Sequence, residues 1–570
     1  MNGTTEDASE DDNAKITISD QTATTITMAS GSYAAIAAQS QGTVEIAGDL
    51  SATADEVITT RGNGTVKINE ANDALKTIAL DGDITFNYDA KTSGSAVDAG
   101  VFVNLANDAS YLTGNILVTG DNIPDGYEKV TQMNLGLANG AQWTTEGSED
   151  SFVNNLTMDG GIINQESTGE ITIDNLTGEG NVVFAEGSGQ VNVLAAEAGA
   201  KLNLTMAGVD ADSFNTTEDL NALANLIDVA EDATANVTGN VHVDEGLLNG
   251  AIDMTVDYEN VDGDELLNGV IKDVRQGTST TVESISGVAT NAAVAWREED
   301  ATFSQRLGEL RSSKEGQGVW ARFVQGEFER GNNFETEYNM FQIGYDKAKG
   351  DWHYGLAVNH TEGDTTYAAG SGELSNTSLS AYGTWLGERG HYKDIVAKVG
   401  SISSDYSIDA AGQLTKGEYD TYGTSLSAEY GMKNDMGKGW FVTPLAKMTY
   451  MHIGADSYTT NNGINVKHDA IDSLVARLGV ELGKELGNKG AIYVKASALH
   501  DFCGDADTTL RLGGNSALLT DEIGGTWYEV GFGFNYKMSD ATNLYADIIK
   551  TYGDEIRTPW QWNAGVRYSF

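Results

Sequence analysis

One cysteine, three prolines and 34 basic residues against 84 acidic ones are the scarcities of this 570-residue chain. Cys503 alone excludes an intrachain disulfide framework. Almost no proline means almost nothing that would interrupt a run of paired strands. A formal net charge of −50 excludes nucleic acid as a partner, because neutralising phosphates needs a basic face, and it favours a solvated, exposed surface. There is no run of 18 apolar residues, so no transmembrane helix is expected. The opening MNGTTEDASEDDN lacks the basic and apolar regions of a signal peptide, so an exported protein would carry its targeting segment upstream.

Composition divides the chain near residue 300. Residues 1–285 hold 9 Lys and Arg against 47 Asp and Glu, a balance of −38, whereas the remainder carries 25 against 37. Aromatics run the other way: 7 of the 9 Trp and 18 of the 23 Tyr lie from Gln317 onward. Trp and Tyr gather at the interfaces of transmembrane barrels.

Read with period two, the last segment places Trp560, Trp562, Ala564, Val566, Tyr568 and Phe570 on one face and Gln561, Asn563, Gly565, Arg567 and Ser569 on the other. The same alternation recurs at Trp527–Met538 and Ser473–Gly483. From Gln317 we count twelve such segments, each able to cross a bilayer as a tilted strand, for which roughly 9 to 11 residues suffice. Their reverse faces carry Arg322, Asp346, Asp394, Lys398, Glu429, Arg477, Glu481, Lys495, Glu529, Asp547 and Arg567, charges that belong in a wet lumen. The expectation is a 12-stranded antiparallel transmembrane β-barrel over residues 314–570. Short turns at 347–350, 387–390, 434–438, 487–489 and 539–542 alternate with longer loops expected at 363–373, 405–415, 454–466 and 504–525, as in outer-membrane barrels.

Residues 1–14 read as a disordered or truncated edge. From Lys15 short β-rich pieces (ITIS, TVEIAG, TVKIN, ITFNY, NILVTG) stand between Gly, Asn, Asp and Ser at irregular spacing. Over 15–287 they predict an all-β, right-handed parallel β-solenoid of stacked coils, with an irregular β-sandwich as the alternative. In NTTEDLNALANLIDV the period changes to helical, with Thr217 before Glu218 and Asp219 as the expected cap, and a short helix is expected to cover the end of the stack. QGTSTTVESISG reads as a linker.

Asn291 to Ser312 reads as one helix, within a segment taken as 288–313, with Phe303, Leu307 and Leu310 on a stripe and Arg297, Arg306 and Arg311 elsewhere. At 1.5 Å per residue it is about 33 Å long, close to a bilayer core. An even strand number returns both barrel termini to one side, so a front half displayed on the other side must thread the lumen with this helix. A surface linker helix is the alternative, if the front half stays on the side of the termini.

These residues resemble a family. QRLGELR with GVWAR (Gly318 to Arg322), YNMFQIGYD (Tyr338 to Asp346), YAAGSGELSNTSLSAYGTWLGERGHYKD (Tyr367 to Asp394), SLVARLGVELGK (Ser473 to Lys484), GGTWYEVGFGFNY (Gly524 to Tyr536) and the closing NAGVRYSF are similar to the translocator domain of type V autotransporters over about Ala292–Phe570. Leu137 to Phe184 is similar, more loosely, to pertactin-like passengers, and the resemblance implies a folding-seed region over about 137–287. It further implies an outer-membrane barrel inserted by the barrel-assembly machinery, with Asn563, Gly565, Tyr568 and Phe570 as the assembly signal. Arg306, Leu307, Leu310 and Arg311 would lie in the luminal helix. Family members that cleave themselves inside the barrel carry an asparagine pair where this chain has Ala301 and Thr302, so cleavage by that route is not expected.

Residues 1–285 contain a single histidine, His242, and no Gly-Asp-Ser-Gly or Gly-x-Ser-x-Gly segment, which weighs against a Ser-His-Asp passenger. No cofactor, metal site or catalytic residue is assigned. His360, His452 and His500, near outer strand ends, are the residues a barrel-borne activity would use; polar rim residues need none. The expectation is a non-enzymatic, adhesive or self-associating surface protein, with outer-membrane lipid, the assembly machinery and a host or neighbouring-cell ligand as partners. The alternatives are a secreted enzyme whose catalytic region lies outside this chain, or a barrel with a periplasmic domain.

Overall fold

The computed structural model describes residues 14–31, 33–88, 100–120, 123, 132–234, 236–259, 266–310, 316–553 and 556–570, and only the backbone of 302–310. The expected disordered edge thus lies, apart from Ala14, outside the described residues. Two units form: Met1–Glu245 with Ala251–Gly277, and Gly246–Gly250 with Thr278–Phe570.

The N-terminal unit is a parallel stack in which each rung lies in register on the one before. One interior column runs Ile36, Ile58, Ile84, Ile116. A second runs Leu80, Leu112, Trp143, Ile163, Val182, Leu204, Val241. All of these side chains are buried, each adding roughly 1.5–3 kcal/mol of apolar transfer. The outer face is built by side-chain ladders: Asn155 donates to Asn134 at 2.9 Å, Asn175 to Asn155 at 3.3 Å and Asn203 to Asn181 at 3.3 Å. Because the matched isoleucines are unevenly spaced in sequence, no fixed period is visible before folding.

The stack ends differently from expectation. The helix spans Thr217–Ala224, and Thr216, one residue earlier than expected, is its N-cap, accepting from Asp219 N at 3.1 Å while Asp219 Oδ2 accepts from Thr216 N at 2.9 Å. This capping box satisfies donors that the helix itself leaves open. In the chain the helix lies between the strands Lys201–Met206 and Ile227–Ala230, with the carbonyl of its last residue, Ala224, against Gly269 of the strand Leu266–Thr278. Parallel stacking stops instead where Asn249–Glu259 pairs antiparallel with Thr238–Val243, and Leu266–Leu267 with Val229–Ala230.

The C-terminal unit is a closed antiparallel barrel of twelve long strands. They are Gln317–Arg330, Phe334–Lys349, Trp352–Tyr367, Gly370–Leu386, His391–Ala410, Gln413–Met432, Trp440–Ile453, Ile471–Glu485, Gly490–Asp501, Gly525–Lys537, Thr542–Gly553 and Ile556–Ser569. The twelfth pairs with the first from Ser569↔Gly318 to Ile556↔Arg330, leaving no open edge between them.

Two of the expected loops are barrel strand instead. Strands three to six run straight through 363–373 and 405–415 to tight turns, the second at Ala411 and Gly412 with φ of 51° and 67°. Two consecutive positive-φ residues make the hairpin turn whose twist matches its strands. The loops at 454–466 and 504–525 are hairpins that join into one four-stranded sheet. The sequence read as loop there because strands that overrun the bilayer have water on their outer face and lose the apolar alternation. On the third strand the outward residues change from Tyr354, Leu356 and Val358 to His360, Glu362 and Asp364. Just above that change one residue row is acidic across six neighbouring strands: Glu327, Glu337, Asp364, Glu373, Asp405 and Glu418 stand directly opposite one another in turn. Carboxylates at such density lie beyond hydrocarbon.

Candidate functional site: the occupied barrel lumen

The luminal helix runs from Thr280 to Leu310, 31 residues and about 46 Å. It starts eleven residues before Asn291 and takes in most of the expected linker. Ser279, fully buried, caps it: Oγ accepts from Thr281 N at 3.1 Å and donates to Leu247 O at 2.7 Å. Val282, Ile285, Val288, Ala289, Ala292 and Ala293 are buried on successive turns, so packing within the barrel overrides the weak propensity of a Ser/Thr/Gly-rich stretch.

The upper turns are held by hydrogen bonds. Ser286 and Thr290 donate to Asp521 Oδ2 at 2.7 and 3.2 Å, and Arg330 pairs with Asp521 Oδ1 at 2.7 Å, so a strand of the loop sheet is clamped between helix and wall. Asn291 donates to Thr365 at 2.9 Å and accepts from Thr336 at 2.8 Å. In the same loop sheet His468 is fully buried, bonded to Thr508 at 2.9 Å and Tyr458 at 3.1 Å. Burial brings its pKa down to about 3, keeping the ring neutral.

Five consecutive helix residues grip the barrel around its circumference. Trp296 is buried against Gly423, where a Cβ would come within 2.7 Å of the indole. Arg297 stacks 4.5 Å from the Trp527 ring. Glu298 accepts from Gln561 and Thr558 of the twelfth strand at 3.2 and 3.3 Å. Glu299 accepts from Thr361, Ser378 and Lys398 at 2.9, 3.2 and 3.2 Å. Asp300 accepts from Ser425 at 2.9 Å and pairs with Lys398 at 3.1 Å. Lys398 also donates to Trp296 O at 3.0 Å and lies 3.8 Å from the Trp296 ring. A buried lysine meets two carboxylates, a carbonyl and an aromatic face, which is how a desolvated charge is tolerated.

The eleven charges expected in the lumen point away from the lipid-facing side. Arg477 reaches Glu529 through two bonds of 2.7 and 3.2 Å, Lys495 lies 3.7 Å from Glu529 and 4.0 Å from Asp547, and Arg567 pairs with Asp346. Glu429 accepts from Tyr392 at 2.9 Å. Arg322 and Asp394 are buried and Glu481 half-buried. Lys398 pairs with the helix through Glu299 and Asp300. A cavity remains on one side, lined by Glu298, Lys447, Ser473, Arg477, Trp527 and Glu529 among others.

Of the residues expected to form an assembly signal, Asn563 faces the lumen, Tyr568 and Phe570 face outward with ring centroids 6.2 Å apart, and Gly565 is where the Tyr545 ring crosses the backbone, 2.2 Å from where a Cβ would sit. Arg306, Leu307 and Leu310 fall on the helix with their side chains undescribed, and Arg311 lies outside the described residues. His360, His452 and His500 stand on the outer surface, bonded to Thr377, Asp472 and Thr526 at 2.9, 2.9 and 2.8 Å. The acidic run Glu298–Asp300 is what the sequence reading missed. Its signal was available: three acids in the middle of a helix already placed in a lumen with cations.

Residues 319–548 match the family model described as the autotransporter beta-domain. This barrel is an autotransporter beta-domain. Pertactin autotransporter of Bordetella parapertussis is 31% identical over 293 residues, covering 49% of this chain and 31% of that protein. The BrkA autotransporter of Bordetella pertussis is 28% identical over 314 residues, 52% of this chain and 30% of that protein. The solved beta domain of the Bordetella autotransporter BrkA is 25% identical, with TM-score 0.39, over 45% of this chain and 100% of that one. The chain spans less than a third of the length of these two relatives. The family model and these relatives type the barrel as the outer-membrane domain of type V autotransporters, and the solenoid stands ahead of it in the chain, in the place of a passenger.

Proposed function

We propose that the passenger is a surface-interaction module, adhesive or self-associating, held at the cell by the luminal helix. The observation that carries this reading is the form of the N-terminal unit: a column of stacked apolar residues inside, and exposed ladders of Asn, Thr and acidic side chains outside. Such a solenoid offers lateral area for binding, whereas turnover needs a cleft with a few convergent groups. Its one histidine is tied up between carboxylates, 2.7 Å from Asp253 and 3.4 Å from Asp244. The grip of Trp296–Asp300 supports permanent anchoring, and Ala301–Thr302 in place of an asparagine pair supports the same. The partners that fit are the outer-membrane lipid, the barrel-assembly machinery through Asn563, Gly565, Tyr568 and Phe570, and a ligand on a host or neighbouring cell.

External protease on intact cells tests display: removal of residues before about 278 with a barrel-sized remnant is expected, and a front half shielded until the outer membrane is broken would sink the reading. Adhesion and autoaggregation of cells expressing the full gene, against cells whose gene lacks 15–277, then test the role. Equal adhesion and equal settling by both would overturn it.

A further inference from the structure

The outward face of the barrel is interrupted where its last two strands part. Thr542–Gly553 and Ile556–Ser569 pair from Thr542↔Tyr568 to Ile549↔Gln561. Beyond that point the last strand carries Pro559, and its register on the first strand slips between Glu327↔Trp560 and Glu329↔Arg557. Proline has no N–H to give the ladder, so it sits where a strand bulges and pairing stops. Lys550 is the first residue past the break on the eleventh strand, exposed and facing outward between Ile548 and Tyr552.

From Lys550 an apolar groove of about 610 Å³ runs along the lipid-facing wall, lined by Trp560, Ile548, Phe532, Val494, Ala496 and Val480 among others. The ladder gives its direction. Lys550 stands opposite Val530, Val530 opposite Ala496, Ala496 opposite Val480 and Val480 opposite Pro444. Next to Pro444, Leu445 pairs with Gly431, one residue from the end of the sixth strand at a short turn. At the other end Trp560 stands opposite Glu327 of the acidic row and donates to its Oε2 at 2.7 Å. The groove therefore starts at the outer side, where the longer loops are, and slants toward the inner one. Trp560 and Val480 are four strand spacings apart, roughly 19 Å. On strands tilted about 45° this is roughly 14 Å of depth, close to one leaflet of a core of about 30 Å.

Tyr528 and Tyr552 stand opposite one another one outward position above Lys550, where the amphipathic rings of an interfacial belt sit. Lys550 is thus a cation at the edge of the hydrocarbon. Its one described polar interaction is with the Tyr552 ring, 5.5 Å from the centroid, and no carboxylate pairs with it among the described residues. Arg557, the outward cation of the last strand, is already paired with Glu329.

We propose that this groove seats one acyl chain of a phosphate-bearing outer-leaflet lipid, with the phosphate on the Lys550 ammonium. Hydrocarbon does not stabilise an unpaired ammonium, and the flexible lysine stem lets the charge rise into the headgroup layer. A phosphate there is a charge-assisted partner that the protein itself does not supply. Strands one to six present the acidic row outward, which repels phosphate. The outward faces of strands ten to twelve carry no acid among the described residues, so the headgroup settles in this sector.

The inference deepens the lipid partner proposed above, and its test separates the two. The full chain is titrated with diphosphoryl lipid A in uncharged detergent micelles, and bound lipid is counted by native mass spectrometry. Lys550→Gln is expected to weaken binding about tenfold, and Ala496→Phe, which fills the groove and leaves the charge, should weaken it about as much. Both positions are exposed, and unchanged heat-resistant migration on gels checks the fold. Lys393→Gln removes an outward lysine 5.0 Å from the Trp385 ring at the short-turn rim and should change nothing. Unchanged binding in either of the first two variants, or equal weakening in Lys393→Gln, would overturn the seat. So would equal binding of uncharged diacylglycerol. A chain that fails to enter phospholipid vesicles at all would instead overturn the lipid partner itself.

Discussion

In the passenger, Leu80, Leu112, Trp143 and Ile163 point into the molecule and asparagines face water; in the barrel, Leu356, Val358 and Phe532 point outward and Lys398, Arg477 and Glu529 point in. Both use strands of period two. The inversion means that the passenger interior is sealed by its own side chains, while the barrel interior is polar and is filled by a separate element. The helix meets it with a mixed surface, Val and Ala on the upper turns and Trp-Arg-Glu-Glu-Asp below. Hydrophobic stacking tolerates different side chains in the passenger, where one column runs through Ala52, Leu80, Leu112 and Trp143. Buried charge is not tolerant, and it fixes the helix at one depth.

The largest effect expected is from Trp143→Ala, which removes a fully buried indole and its bond to Gly114 O at 3.0 Å. It should cost about 3–5 kcal/mol of passenger stability, read as lost protease resistance of residues 15–277. Trp296→Ala sharpens the contrast: the sheet ladder of the barrel is untouched, so its heat-resistant migration on gels should persist while single-channel conductance rises. If both variants lose only stability, the lumen is not sealed by this anchor. Lys398→Glu sets a third carboxylate against Glu299 and Asp300; breaking such buried pairing costs about 3–5 kcal/mol, and the expected result is a channel open in planar bilayers with the helix newly accessible to protease.

Smaller effects test the passenger's own ends. Thr216→Ala removes the capping box and should cost about 1 kcal/mol, seen as faster amide exchange in 217–224 without change in the barrel. The carboxylates of Asp253 and Asp244 hold the His242 pKa above its ordinary 6.5. A raised pKa in the folded state adds stability that is fully present below pH 6.5 and is lost as pH rises through the folded value. The side chain is 44% exposed, so the loss should be a few tenths of a kcal/mol. His242→Gln should flatten that slope in amide exchange of the 238–259 hairpin; an unchanged slope would assign it to other groups.

Period two alone made the twelve membrane strands legible, because lipid outside and water inside force alternation at every position. It failed where that contrast ends. Residues 363–373 and 405–415 are strand with polar side chains outward, and nothing in the composition distinguishes such strand from loop. The linker was misread for the opposite reason: Thr280–Thr290 lacks helix propensity, and only enclosure in the barrel makes it helical. In the passenger the rung residues were visible as ITIS or TVEI, but their stacking partners were not, since loops of unequal length hide the period.

Residue order alone specifies what is local: which face of each strand is apolar, where strong helices and turns begin, and that charge inside the C-terminal half needs water or partners. Which charges meet was decided by tertiary structure. Lys398 lies about a hundred residues from Glu299 and Asp300, Gln561 farther still from Glu298, and Asp521 reaches Ser286 only once the loop hairpins have joined into a sheet. Such pairs depend on closure of the barrel around the helix. A pattern of period two says which way a side chain points and nothing about what stands across the lumen from it.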